Sequence, residues 1–183
     1  IASLRPLKTG RSYTVDELLR AMIVHSANAA LFVLLAHVNP EALGGIYKEL
    51  LISAPDSNKP DDWLTVREYS SFFRVLYNAS YLNKAMSEKA LGILSQVDFR
   101  NGLVAGVPAG TIVAHKFGER RLAGGAQAQL HDCGIVYYPR QPYLLCVMTR
   151  GDDLSRLADV IKEISAAVHQ EVDGQVKAKN NAG

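Results

Sequence analysis

The chain has 183 residues, 48% of them hydrophobic and 21% charged, and its 20 Lys and Arg nearly balance its 18 Asp and Glu. This length suffices for one or two compact layers around a sizeable core. The near-neutral charge gives no support for a nucleic-acid partner, and no apolar run approaches the roughly 20 residues that span a bilayer, so no transmembrane segment is expected.

The first half of the chain is predicted to be helical. Thr14 and Glu17 form a capping-box pattern, and the apolar residues that follow recur at helical spacing, which predicts a helix from about residue 15 to 24. An apolar helix is predicted next, over residues 29–38. The pattern therefore indicates a pair of consecutive helices with a short interruption between them.

Three further helices are predicted before residue 100. Asn39 as N-cap and Pro40 at the first helical position begin one that runs to about Leu51. The segment "SAPDSNKPDDW" is rich in Pro, Asp, Ser and Asn and is predicted to be a loop. The next two helices begin after it, one at the capping box of Thr65 and Glu68 and a short one at Ser87.

The second half changes from helical to strand periodicity. Three segments rich in Val, Ile, Leu and Tyr are predicted to be strands, and the last two form an antiparallel hairpin, over residues 110–119, 128–139 and 141–151. A long helix is predicted over residues 152–172, packed on the sheet, with the "KAKNN" beyond it as a solvated tail. The predicted fold class is α+β, with a helical subdomain over 1–110 and a sheet plus C-terminal helix over 111–183.

The chain has only two cysteines, Cys133 and Cys146. This number excludes a disulfide-framework protein and a four-cysteine zinc site. The two residues lie on the predicted hairpin and could face the same side of adjacent strands, although a diagonal pair is usually too far apart for a good disulfide. Two buried free thiols are therefore the favoured interpretation.

Polar residues interrupt apolar elements at two places in the chain. Ser26 and Asn28 separate the first two helices, and a buried polar group that lacks a hydrogen bond costs a few kcal/mol. One interpretation is a helix junction in which Asn28 caps the second helix; the other is a functional turn. Lys116 lies in an apolar strand, either at a solvated edge or facing a cleft, where Gly118 would let a ligand approach the backbone.

Together these segments resemble the serine penicillin-recognising superfamily, specifically proteins similar to class A β-lactamases. That family combines S-x-x-K on a helix, S-D-N or S-x-N between two helices, and K-T-G on a strand. Here "HSANAA" matches the second motif with Ala27 in place of Asp, and "AHKFGE" matches the third with Phe117 in place of the hydroxyl residue. The resemblance spans roughly residues 13–170. The literal K-T-G at residues 8–10 precedes a helix and not a strand, so it is interpreted as a turn.

Two departures from the family pattern stand out. No serine in the sequence is followed three residues later by lysine, so the nucleophile motif is absent. Because the chain begins with Ile, a truncated or trimmed longer polypeptide is the favoured explanation. The loop acids Asp56, Asp61 and Asp62 also form no E-x-x-L-N pattern. Asp62 is the best substitute for the deacylating Glu by its distance from Ser26, although a solvated loop acid is favoured, and efficient β-lactam hydrolysis is not expected.

The resemblance implies acyl transfer on a β-lactam or D-alanyl peptide amide through an acyl-serine in the full-length parent. Ser26, Asn28 and Lys116 would be catalytic, and the substrate would bind at Lys116, Phe117, Gly118, Glu119 and Arg120. No metal and no cofactor is implied. The chain alone, without Ser and Lys of the first motif, is expected to be inactive.

Other expectations follow from the same resemblance. The alternative function is a non-catalytic penicillin-binding-like module that recognises cell-wall peptide or a protein partner. The family implies a periplasmic or extracellular location. Loss of two strands would leave a sheet edge unpaired, so a homodimer, or association with the missing N-terminal segment, is expected in place of a well-behaved monomer.

Overall fold

The computed structural model describes residues 7–55, 64–122 and 125–181. The chain divides into two compact units, one of residues 1–99 with 114–116 and one of residues 100–113 with 117–183. The predicted α+β class is confirmed, because a helical cluster is followed by a three-stranded antiparallel sheet and a C-terminal helix.

The first unit contains five helices: α1 (Val15–Val24), α2 (Asn28–Leu35), α3 (Pro40–Glu49), α4 (Val66–Tyr77) and α5 (Lys84–Leu94). The capping boxes predicted at the starts of α1 and α4 are both present, as is the Asn39 cap of α3. The start of α5 was predicted wrongly. It begins at Lys84, three residues before the predicted Ser87. The Asn83 side chain caps it by accepting a hydrogen bond from the backbone N–H of Met86.

Helix α1 packs against α2 and α5, and α4 packs against α5. Leu18 of α1 is buried with Ala27 and Ala30, which lie at the start of α2. A separate apolar cavity of about 310 Å³ lies among α1, α4 and α5, lined by Leu19, Ile23, Leu76, Leu82, Met86, Lys89, Ala90, Ile93 and Leu94. Thus α1, the helix that leads into Ser26, has Leu18 in a packed cluster and Leu19 and Ile23 at a cavity.

Helix α2 is apolar all round but is barely buried. Only Ala30 of its residues is buried, while Phe32 is 67% exposed, Val33 40% and Leu35 43%. A helix that is hydrophobic on every side is typical of the core of a larger structure. The exposed part of α2 is therefore an apolar surface of the unit.

The carboxylate of Glu68 closes the loop before α4. It accepts hydrogen bonds from the backbone N–H and hydroxyl of Ser53, at 2.9 and 2.6 Å, and from the same two groups of Thr65, at 2.9 and 2.7 Å. Because all four bonds favour the charged form, they lower the pKa of Glu68 to about 2. Residues 56–63 of the loop predicted over residues 53–63, with Asp56, Asp61 and Asp62, lie outside the described residues.

The sheet has the order β1–β2–β3, with β1 at Val113–Arg121, β2 at Ala128–Val136 and β3 at Tyr143–Gly151. Three residues of β1, Ala114–Lys116, belong to the first unit. In the second unit, the 28-residue helix α6 (Leu154–Asn181) packs on β2 and β3. Residues 177–181, predicted to be a solvated tail, are exposed but continue this helix.

A short 3₁₀ helix, Leu103–Gly106, was not predicted from the sequence. Its first residue is held from both sides: the buried Asp132 carboxylate accepts the N–H of Leu103 at 3.0 Å, and the buried Ser165 hydroxyl donates to its carbonyl at 2.8 Å. At Gly106 a Cβ atom would stand 2.4 Å from the Lys162 carbonyl oxygen, so α6 approaches too closely for any other residue.

The predicted free thiols are wrong, because Cys133 and Cys146 form a disulfide. The residues are directly opposite each other in the β2–β3 register and not diagonal, with 4.0 Å between their Cα atoms. The prediction of a turn at residues 8–10 is confirmed, with Gly10 at φ +78°. Among the described helices, none alone is long and apolar enough to cross a membrane, and only the pair α2 and α3, bent by 106°, meets that criterion together.

We expect Glu68→Gln to lower the free energy of unfolding at neutral pH, because an uncharged amide accepts weaker hydrogen bonds than a carboxylate. The folded-state pKa of about 2 lies below the usual glutamate value of 4.5, so the stabilisation is full above pH 4.5 and is lost as the pH falls towards 2. Urea unfolding of both proteins at several pH values should show their difference shrinking over that interval.

The matched control is Glu88→Gln, since Glu88 faces Lys84 at 3.9 Å on an exposed helix surface. This variant should stay close to the unsubstituted protein at every pH. A Glu68→Gln effect that is constant from pH 7 to pH 2 would contradict the assignment.

Candidate active site

The turn that carries Ser26 has an unusual backbone. Helix α1 ends at Val24, His25 is its C-cap, and Ser26 follows with φ +52°, in the left-handed region. Such a conformation costs a residue other than glycine about 1–2 kcal/mol. The surrounding structure must therefore hold Ser26 in this position.

Lys116 meets Ser26 across the first unit. Its Nζ donates a hydrogen bond to Ser26 Oγ at 3.0 Å, between residues 90 positions apart, and both side chains are partly buried. Because the ammonium can only donate, the Ser26 oxygen acts as the acceptor, and its own proton remains available for another group. The positive charge also stabilises negative charge that develops on Ser26 Oγ when that proton leaves.

The backbone of Lys116 is held as well as its side chain. The hydroxyl of Tyr69, on α4, donates to the Lys116 carbonyl at 2.7 Å. Tyr69 is itself packed edge-on against Phe73, which is buried, with 6.0 Å between ring centres. Helix α4 thus fixes the part of β1 from which the Lys116 side chain extends.

Asn28 is the first residue of α2 and is exposed. The interpretation that it caps this helix is wrong, because Ala27 occupies the N-cap position and makes no side-chain cap bond. Ala27 is buried at the start of α2, and Asn28 is exposed two residues beyond Ser26. The structure therefore brings Ser26 and Lys116 together and leaves Asn28 open beside them.

The other predicted site residues follow Lys116 along β1 and belong to the second unit. Phe117 is only 3% exposed, so its ring is a core side chain. Gly118 and Glu119 are partly exposed, and Arg120 donates from Nε to the buried Gln129 on β2 at 2.8 Å. Arg120 is therefore tied to the neighbouring strand.

Sequence reasoning missed two contributors. Tyr69 gave no signal, because a tyrosine in an amphipathic helix is an ordinary residue. Asp98, whose carboxylate lies 2.5 Å from Nδ1 of His25, gave no local signal either. No group of three or more His, Cys, Asp or Glu side chains among the described residues is arranged to hold a metal ion.

Residues 2–172 match the family described as the beta-lactamase enzyme family. The structure is similar to PBP-A, with a TM-score of 0.75 and 20% identity over 92% of this chain and 64% of that protein. It is also similar to a β-lactamase from Sphaerobacter thermophilus, with a TM-score of 0.78 and 21% identity over 92% of this chain and 66% of that protein.

A class A β-lactamase representative from Bacteroides cellulosilyticus has a TM-score of 0.74 and 20% identity, over 86% of this chain and 63% of that protein. The chain thus spans about two thirds of the length of these structures. A mutant of PBP-A is known as an acyl-enzyme complex with penicillin G. No curated protein sequence matches the chain.

We expect Tyr69→Phe to lower the free energy of unfolding by about 1 kcal/mol, because the hydrogen bond to the Lys116 carbonyl is lost while the ring packing is kept. Tyr77→Phe is the matched control, as Tyr77 lies on the same helix and is 48% exposed. Urea unfolding measures both variants. Equal effects of the two substitutions would show that the Tyr69 hydroxyl does not hold Lys116.

Proposed function

Because this chain belongs to the beta-lactamase enzyme family, we propose that it provides one wall of a serine acyl-transfer site. The substrates would be β-lactams or D-alanyl peptide amides, with an acyl-serine as the intermediate. The observation that carries the proposal is the 3.0 Å hydrogen bond from Lys116 Nζ to Ser26 Oγ. An ammonium held against a hydroxyl suits a group that passes on a proton.

Each residue of the S-x-N and K-x-G motifs has a distinct role in the proposed reaction. Ser26 gives its proton to the nitrogen that leaves the acyl carbon, and Lys116 stabilises the charge on Ser26 and binds the carboxylate of the substrate. Asn28, whose carboxamide is exposed, holds the amide of the substrate and orients the lysine of the missing motif. The backbone N–H of Glu119 on β1 serves as one oxyanion-hole donor.

Phe117 changes how the substrate carboxylate is bound. At the position where the family motif has a hydroxyl residue, this chain has a ring that is 3% exposed. The substrate therefore has no side-chain hydroxyl there, and Arg120 is engaged by Gln129. Recognition of the carboxylate then depends on Lys116, which explains why its loss should be severe.

In this proposal the nucleophile comes from polypeptide outside this sequence. No S-x-x-K is present in the 183 residues, and a serine hydroxyl attacks only when a neighbouring base takes its proton. The exposed apolar residues of α2, which starts two residues after Ser26, support a segment of polypeptide that covers them. That segment would carry the nucleophilic Ser and its Lys, and without it the chain would be inactive and prone to form a homodimer.

The substrate class also supports a location. Peptidoglycan peptides lie outside the cytoplasmic membrane, so the proposed reaction belongs in the periplasm or outside the cell. A mutant of the structurally similar PBP-A has been captured as an acyl-enzyme with penicillin G, which supports the same substrate class here.

The second candidate is a non-catalytic module that binds cell-wall peptide or a protein partner. The missing S-x-x-K favours it, because a cleft without a nucleophile can still bind an amide and a carboxylate. The two candidates differ in covalent chemistry, since only the enzyme forms a bond to its substrate.

A fluorescent penicillin should label the polypeptide that contains this chain together with its nucleophile segment. The label should remain on the protein in denaturing gel electrophoresis. We expect Lys116→Ala to slow labelling by two or more orders of magnitude, in the range seen when a charge-stabilising donor is removed from an active site. Lys48→Ala, which removes an exposed lysine from the same unit, is the control and should label normally.

The absence of any covalent label, combined with reversible binding of the same penicillin, would favour the binding module. Equal labelling of the Lys116→Ala variant and the control would contradict the proposed role of Lys116.

A further inference from the structure

Two helices of the first unit end in the same local way. After α3 and after α4 one residue takes a left-handed conformation, Leu51 at φ +53° and Ala79 at φ +48°. The next backbone N–H then bonds the carbonyl five residues earlier, at 3.0 and 3.1 Å, from Ile52 to Tyr47 and from Ser80 to Val75. These are Schellman motifs, in which a helix closes its own end.

Helix α1 also has a left-handed residue after its end, Ser26, but closes differently. The N–H of Ala27 bonds the Ala21 carbonyl at 3.1 Å, six residues back and not five. The carbonyl of Val24, the last residue of α1, instead accepts the backbone N–H of Asp98 at 3.0 Å. The end of this helix is therefore satisfied from a segment more than seventy residues away in the sequence.

Asp98 makes a second bond at the same place. Its carboxylate lies 2.5 Å from Nδ1 of His25, the residue between Val24 and Ser26. Since a carboxylate oxygen accepts, the His25 ring donates from Nδ1. The side chains are 22% exposed for His25 and 40% for Asp98, so the bond is partly shielded from water. Asp98 thus forms hydrogen bonds with Val24 and His25, the two residues directly before Ser26.

We infer that His25 and Asp98 are positioning residues that hold Ser26 in its left-handed conformation, with Oγ directed at Lys116. The inference rests on the proposed function for its catalytic consequence. The Asp98 bonds fix the chain before Ser26, and the buried N-cap Ala27 fixes it afterwards, so Ser26 is confined from both sides. Without the side-chain bond, Ser26 relaxes towards a right-handed or extended backbone, and its hydroxyl leaves Lys116.

The decisive variant is Asp98→Ala, which removes the carboxylate and keeps the backbone N–H to Val24. Asp98→Asn is the conservative variant, because its carboxamide oxygen can still accept from His25 Nδ1. Asp16→Ala is the matched control. Asp16 lies on the same helix, α1, and its carboxylate bonds Arg20 of α1 and Lys89 of α5, away from the turn. Glu68→Gln is the control for lowered stability alone.

The first readout is the backbone of Ser26, from the ¹³Cα and ¹³Cβ chemical shifts and the N–H to Hα coupling of the labelled protein. We expect these signals to move from left-handed values in Asp98→Ala and to return most of the way in Asp98→Asn. They should stay unchanged in Asp16→Ala and Glu68→Gln. Left-handed signals in Asp98→Ala overturn the inference, whatever the activity of the protein.

The second readout is the rate of acylation by penicillin in the polypeptide that includes the nucleophile segment. Asp98→Ala should slow the chemical step about tenfold to a hundredfold, as misplaced catalytic groups do, and leave the initial non-covalent affinity unchanged. An unchanged rate together with moved Ser26 signals would overturn the catalytic consequence of the positioning. If the unsubstituted protein is not acylated at all, the proposed function fails, while the Ser26 signals still decide whether the pair holds the turn.

Discussion

The hydrogen bond between Lys116 Nζ and Ser26 Oγ is the interaction on which the site depends. It joins a helix turn to a strand 90 residues later. The charge of Lys116 acts on the Ser26 hydroxyl because Nζ lies 3.0 Å from Oγ. An ammonium beside a hydroxyl leaves the hydroxyl proton free to be given away and stabilises the charge that remains. Both groups must therefore be held by something other than the bond itself.

Packing and capping supply that support. On the lysine side, Tyr69 of α4 holds the Lys116 carbonyl. On the serine side, Asp98 holds the last turn of α1 and the ring of His25. These contacts confine a left-handed serine that would otherwise be unfavourable, as expected where backbone strain serves a site.

The sequence predicted the elements that depend on local signals. The capping boxes of Thr14 with Glu17 and Thr65 with Glu68 mark helix starts because both partners lie within one turn. The 3₁₀ helix at Leu103 escaped prediction because its bonds come from Asp132 and Ser165, far along the chain. The disulfide escaped for the same reason, since it depends on the β2–β3 register that sets Cys133 opposite Cys146.

The site shows the same division. Ser26 and Lys116 drew attention because their segments resemble motifs of a known family, whereas Tyr69 and Asp98 contact the segments of Lys116 and Ser26 over long sequence distances that no local pattern encodes. Resemblance to the family also implied that Phe117 binds the substrate, whereas its ring is only 3% exposed.

A double-mutant cycle between Ser26 and Lys116 tests the central claim most directly. The free energies of unfolding of Ser26→Ala, Lys116→Met and the double variant, compared with the unsubstituted protein, give the coupling between the two side chains. A partly exposed hydrogen bond from a charged donor should give a coupling of about 1 kcal/mol. A coupling indistinguishable from zero would show that the two residues do not form the bond on which the site depends.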